Sequence, residues 1–160
     1  MALRNIVTED DPILRKKCRP VDKVDDRIRG ILEDMLETLH EAGGVGIAAP
    51  QVGILRRMFI AEPEPGEVYY MINPEILEKN GSDTAEEGCL SVPGFAGAVE
   101  RATYVKIKAL DIDGSERTIE AEEWAARVMQ HEYDHLDGIL YTDKAIEMRA
   151  LDDDYAEEEA

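Results

Sequence analysis

At 160 residues and 17.9 kDa the chain has the length of one ordinary domain, and 44% of its residues are hydrophobic and available for a core. Its 36 acidic and 18 basic residues leave a formal charge of -18 and a pI near 4.4, which disfavours attachment to nucleic-acid phosphates or anionic lipid by bulk electrostatics. No apolar run approaches the roughly 18 residues that span a bilayer, and the opening twenty residues have neither an apolar signal core nor a transit composition, so a cytoplasmic location with no membrane and no direct DNA contact is expected.

Two cysteines occur, Cys18 and Cys89, too few for a disulfide framework. Cys18 stands among Arg15, Lys16, Lys17 and Arg19, basic neighbours able to lower a thiol pKa, but nothing nearby would use the thiolate. From Asp25 to Ala42 the apolar residues Ile28, Ile31, Leu32, Met35, Leu36 and Leu39 recur at helical spacing, and Gly43-Gly44 supplies a left-handed stop. His40 in the last turn is read as a surface or capping residue favoured by the helix dipole. The segment from Gly43 to Gly53 that follows is small and glycine-rich, with Gln51 its single polar side chain. A packed connector and a site where backbone approaches a ligand are both open readings of it.

From Arg57 to Ile119 the pattern turns to short strands: RMFIAE, VYYMINP, EILEKN and the alternating YVKIKALD. Pro63, Pro65, Pro74 and Pro93 confine strands to short pieces or edges, and Asp113-Gly114 marks a two-residue hairpin. Between them lies Glu86-Glu87-Gly88-Cys89-Leu90-Ser91; a thiolate there is either a soft metal ligand or a buried structural thiol.

Helical spacing returns from Glu122 to Asp137, with Gly138 as the stop. Trp124, Val128, His131 and His135 follow each other at intervals of four, three and four, so both histidines continue an inward stripe. His131-Glu132-Tyr133-Asp134-His135 spells H-E-x-x-H: two imidazoles one turn apart can reach one divalent ion, with a carboxylate beside it to carry a proton. The elements add up to an α+β fold, with short antiparallel β-sheets packed around a C-terminal helix bearing H-E-x-x-H, plus an N-terminal helix. Residues 1–150 are expected to form a single domain and 151–160 an acidic, disordered tail, since Asp152 to Ala160 holds six acids and no base.

A catalytic site of this kind has three protein ligands and one open position. A metzincin would place a third His where Tyr141 stands, and a thermolysin-like site would need a later Glu, for which Glu147 and the tail are the candidates. A noncatalytic closed site would recruit His40 or Cys18 as a further ligand.

Three segments taken together settle the comparison. Gly44-x-Gly46-x-Ala48-Ala49-x-Gln51, Glu87-Gly88-Cys89-Leu90-Ser91 and Gln130-His131-Glu132-x-x-His135-Leu136, with the opening Asp11-Pro12-Ile13-Leu14-Arg15, resemble the signature motifs of the peptide deformylase family in order and spacing. The resemblance implies removal of the N-formyl group from formyl-methionine of new polypeptides, with release of formate. It implies one divalent metal, usually Fe²⁺ with Zn²⁺, Ni²⁺ or Co²⁺ able to substitute, held by Cys89, His131 and His135. It also implies Glu132 as general acid/base, Gln51 and the backbone of Leu90 at the oxyanion, and substrate contacts from Val45, Gly46, Gly88, Trp124 and Val128. The expected partners are N-formylmethionyl nascent peptides, met in transient contact with the ribosome by a monomer. Some members carry an Arg shortly after the second motif; here the first is Arg101. The alternatives are a zincin-type metallo-endopeptidase and a noncatalytic metal-binding protein.

Overall fold

The computed structural model describes residues 2–151. The first long helix, α1 (Asp26–Ala42), begins where the Asp25 side chain accepts from the Ile28 amide and ends at Gly43, whose φ of 71° is the left-handed stop read from sequence. It lies on one face of a five-stranded antiparallel sheet of order β1 (Gly46–Ala48), β2 (Met58–Ala61), β3 (Tyr69–Asn80), β6 (Tyr104–Leu110), β7 (Glu116–Glu122). The helix α2 (Glu123–His135) lies on the other face.

Both faces of the sheet are covered, which explains why β2 is buried at all four positions. Met58 and Ile60 pack with Leu32, Met35 and Leu39 of α1, while Phe59 and Ala61 pack with Ala126, Val128 and Met129 of α2. Strand β6 keeps the clean alternation of a half-buried strand, with Val105, Ile107 and Ala109 inward.

A second sheet of order β4 (Asp83–Cys89), β5 (Val92–Arg101), β8 (Glu147–Ala150) stands beside the first, with the one-turn helix α3 (Tyr141–Lys144) against β5. The helix α2 is therefore followed by one further turn and one edge strand rather than closing the fold. The acidic stretch from Asp152 onward lies outside the described residues.

Several sequence expectations need correction. VYYMINP and EILEKN are one strand, β3, at the centre of the sheet; Pro74 is tolerated there because the register shifts between Ile72 and Glu75, so neither neighbour requires its missing amide. Asn73 beside it adopts φ 51° and clamps Val21 through both its amide N–H (Val21 N to Oδ1, 2.7 Å) and its carbonyl (Nδ2 to Val21 O, 2.8 Å). The β6–β7 connection, residues 111–115, has five residues instead of two: Asp111 N–H donates to Ser115 O at 2.8 Å, and Gly114 takes φ 86°. Cys18 is buried, and that burial pushes its thiol up to about 11, so the basic neighbours do not activate it.

Candidate metal centre and catalytic cleft

Two structural units meet at the site. On α2, His131 and His135 sit one turn apart, with ring centroids 5.1 Å apart, and both are buried. From the second sheet, β4 ends at Cys89, where a tight turn pairs Cys89 with Val92 and delivers the thiol to the same place. Cys89 Sγ lies 3.5 Å from His135 Nε2, and the three potential ligand atoms all fall within 4.8 Å of one another.

The donor set fits a divalent cation. His131 Nδ1 is engaged by Glu87 Oε1 at 2.8 Å, which leaves its other ring nitrogen for the centre. Burial alone would lower the His131 pKa, but the bonds to Cys89 and Glu87 outweigh it and draw the ring up to about 10. The field that favours a proton there favours a metal cation in its place. His135 is driven well below its usual pKa, by burial first and by His131 second, and a neutral imidazole is the form that ligates. One thiolate and two imidazoles suit Zn²⁺, Fe²⁺, Co²⁺ or Ni²⁺.

The other candidate ligands lie elsewhere. His40 bonds Glu62 Oε1 at 2.6 Å at the end of α1, Cys18 is buried with its amide on Leu136 O, and Glu147 is exposed on β8. Tyr141, at the third metzincin position, stacks on His131 with centroids 5.9 Å apart.

Glu132 is buried beside His131, and Oε1 has no hydrogen-bond partner. Desolvation raises its pKa to about 7, a value suited to exchanging protons near neutrality. Gln51 sits on the 3₁₀ turn Ala49–Val52 that follows β1. Its Oε1 accepts from the Ala48 amide at 2.9 Å, and its Nε2 donates to Ser91 Oγ at 3.0 Å and faces Cys89 Sγ at 3.6 Å.

A cleft of about 180 Å³ opens from these residues, and Val45, Gly46, Gly88, Leu90, Trp124 and Val128 all line it. The expected substrate-contact residues are thus brought together. Trp124 departs from the inward stripe: it is 46% exposed because it walls a cavity and is not packed into the core.

The sequence reading missed the polar shell behind His131. Glu87 accepts from Arg101 Nε and Nη2, both at 2.9 Å, and from Arg127 Nη1 at 2.6 Å; Arg101 Nη1 also reaches Asp134 Oδ2 at 2.6 Å. Arg101, the first arginine after the second motif, is consumed in this shell. One signal was available: Arg127 falls one helical turn before His131, where an inward stripe should be apolar.

The sequence profile of the polypeptide deformylase family matches residues 3–150. A peptide deformylase 1 of Clostridium perfringens is 56% identical over 144 residues, covering 89% of this chain and 98% of the relative. A peptide deformylase of Clostridium botulinum is 54% identical over 144 residues, covering 90% and 97%. Among solved structures, the peptide deformylase from Thermotoga maritima superposes with a TM-score of 0.88 at 42% identity, covering 91% of this chain and 99% of that one.

Proposed function

The chain belongs to the polypeptide deformylase family and is a metal-dependent enzyme that removes the formyl group from nascent peptides; on that premise we propose the following division of labour among its residues. Cys89, His131 and His135 hold the metal, and the observation that carries this reading is the convergence of their ligand atoms within 4.8 Å beside the buried Glu132. A divalent cation held there supplies Lewis acidity, which can bring the pKa of water from 15.7 to about 7 in favourable cases. Glu132 accepts the proton of the water that attacks the formyl carbon. The resulting oxyanion is met by the Gln51 amide and the Leu90 backbone N–H. The C–N bond then breaks as Glu132 returns its proton to the nitrogen, leaving formate and a free amine.

The peptide is read as an extended strand along Val45, Gly46 and Gly88, with the methionine side chain between Trp124 and Val128; this is supported by the shared cleft these residues line. Backbone pairing of that kind accommodates many sequences after methionine. Residues 1–150 are read as one domain, since α2 and the second sheet share the site. Fe²⁺ as the metal in the cell, a monomeric state, cytoplasmic action and transient ribosome contact belong to the same reading. Among the described residues no helix is long and apolar enough to cross a membrane. The endopeptidase and noncatalytic alternatives are not favoured.

The test is formate release from a short formyl-methionyl peptide by protein loaded anaerobically with Fe²⁺, beside Glu132→Ala and an acetyl-methionyl control. Release that needs metal and Glu132 and is weak on the acetyl peptide supports these roles. Full activity in Glu132→Ala removes Glu132 from the mechanism.

A further inference from the structure

Arg127 is 5% exposed, and its guanidinium is shared among three acceptors on two strands. Nη1 donates to Glu87 Oε2 at 2.6 Å and to Val99 O of β5 at 2.9 Å, and Nη2 donates to Asp83 O at 2.8 Å. Asp83 and Glu87 stand near the two ends of β4, and Glu87 lies two residues before Cys89. Arg127 itself lies four residues before His131, one turn away on the same face of α2.

Among the described residues no strand pairing joins the two units that supply the metal ligands, Cys89 from the β4–β5–β8 sheet and the two histidines from the helix packed on the other sheet. Side-chain bonds therefore help to set the distance between them, beside the packing of Tyr141 on Val92 and Val99 and the Gln130 amide on the Ala102 backbone. Arg101 contributes a bridge from β5 to Asp134, and Glu87 one from β4 to His131. Arg127 alone among these fastens α2 to both ends of β4 and to β5 at once. An ion pair to Glu87 would need only one acceptor; the two backbone carbonyls require the planar fork of a guanidinium, which a lysine cannot reproduce. Although Arg127 lines the cleft, both of its Nη atoms are engaged by Glu87, Val99 O and Asp83 O.

We propose that Arg127 is a positioning residue for the metal centre: it clamps the β4–β5 hairpin onto α2 and so sets the place of Cys89 relative to His131 and His135. The proposal rests on those three residues being the ligands, as read above. The bland alternative is a buried ion pair that contributes only to global stability, and buried pairs are weak evidence even for that.

The test uses the Co²⁺-loaded protein, reading its visible thiolate-to-metal and d–d absorption bands and the rate of Co²⁺ release to excess chelator, well below the melting temperature. Arg127→Met and Arg127→Lys are compared with Leu32→Ala, a core truncation between α1 and the large sheet that lowers stability away from the site. Outer residues that hold metal ligands typically change affinity by about 10- to 100-fold. Arg127→Met is expected to shift the bands and release Co²⁺ at least about tenfold faster, with Arg127→Lys intermediate and Leu32→Ala at the wild-type rate. Wild-type bands and release in Arg127→Met, or an equal change in Leu32→Ala, overturn the proposal. Should Arg127→Met fail to fold, Arg127→Lys decides, because it keeps the charge and loses the fork: release at the wild-type rate overturns the proposal. Cys89→Ala separates the two readings. Undiminished Co²⁺ binding there sinks the ligand assignment itself, whereas loss of binding in Cys89→Ala with wild-type behaviour in Arg127→Met sinks only the clamp.

Discussion

The Cα of Gly46 lies directly against the carboxylate of Glu132: a Cβ built on Gly46 would stand 2.5 Å from Oε2 and 2.9 Å from Cδ and Cγ. The first motif thus needs a glycine here to leave room for the Glu132 carboxylate, the proposed proton carrier, in addition to any backbone bond to the peptide. Gly46→Ala must displace the Glu132 side chain or the β1 backbone. We expect kcat to fall by about 10² or more, the lower range of general acid–base contributions, with metal content and melting temperature close to wild type. Steady-state kinetics with metal analysis checks this; a raised KM at unchanged kcat would assign Gly46 to peptide binding alone.

Gln51 has two separable jobs. Its carbonyl closes the turn onto the Ala48 amide, and its amide faces Cys89 and Ser91. Gln51→Ala removes the proposed oxyanion donor, for which a loss of about 10² to 10³ in rate is expected, and leaves a buried N–H unsatisfied, worth about 1–3 kcal/mol. Gln51→Glu keeps an acceptor for Ala48 but not the donor. It should therefore recover stability in urea titrations while remaining as slow as Gln51→Ala.

What could be read from the chain alone follows from which forces leave periodic marks. Both long helices were legible because marked residues recur every three to four positions: Ile28 to Leu39 form the one buried face of α1, and Trp124, Val128, His131 and His135 form a stripe on α2, which the fold buries on nearly all sides from Ala126 to His135. The proposed ligand pair was legible for the same reason, since one turn of helix fixes the spacing of His131 and His135. Pro74 splits β3 in two in the sequence pattern because it forbids a ladder bond, and only the partner strands reveal the bulge that excuses it. Strands β4 and β5 carry no strand signature in the sequence, because Gly88, Gly94 and Gly97 interrupt their alternation and β4 presents exposed acids. Arg101 was unreadable as a site residue because charge in a sequence signals solvent, and Arg127 left only the mark of a charge one turn before His131. Their burial depends on Glu87 and Asp134, which the fold brings from distant positions.

Glu87 is the hub of that polar shell. Burial alone would raise its pKa, but the bonds from Arg101 and His131 outweigh it and hold the carboxyl at about 2. Glu87→Gln leaves two buried guanidiniums facing an amide, so we expect a loss of about 3–5 kcal/mol in chemical unfolding. A depressed carboxylate contributes stability that is complete above its unfolded pKa of about 4.3 and is lost only as pH falls through the folded value. The difference between wild type and Glu87→Gln should accordingly be flat from about pH 6 to 8 and shrink in acid as the pH approaches about 2. A difference that grows on acidification would mean that Glu87 is not the ionised partner.

Trp124 separates binding from chemistry. Its ring walls the cleft two helical turns before His131 and is 46% exposed, so little of the core depends on it. It reaches neither Cys89, Gln51 nor Glu132 through any hydrogen bond. The contact proposed for it with a methionine side chain would be the same before and during attack on the formyl carbon, and such uniform binding appears in KM rather than kcat. Burying a methionine-sized side chain is worth about 1.5–3 kcal/mol, of which one wall supplies a part, so Trp124→Ala should raise KM for a formyl-methionyl peptide by roughly tenfold at nearly unchanged kcat. Trp124→Phe, which keeps an aromatic wall, should recover most of that loss. The same pair of variants should differ far less on a formyl-alanyl peptide, whose side chain is too short to use the wall. If Trp124→Ala lowers kcat equally on both peptides, the ring is holding α2 and its ligands in place, and the methionine pocket must be sought against Val45 and Leu90 instead.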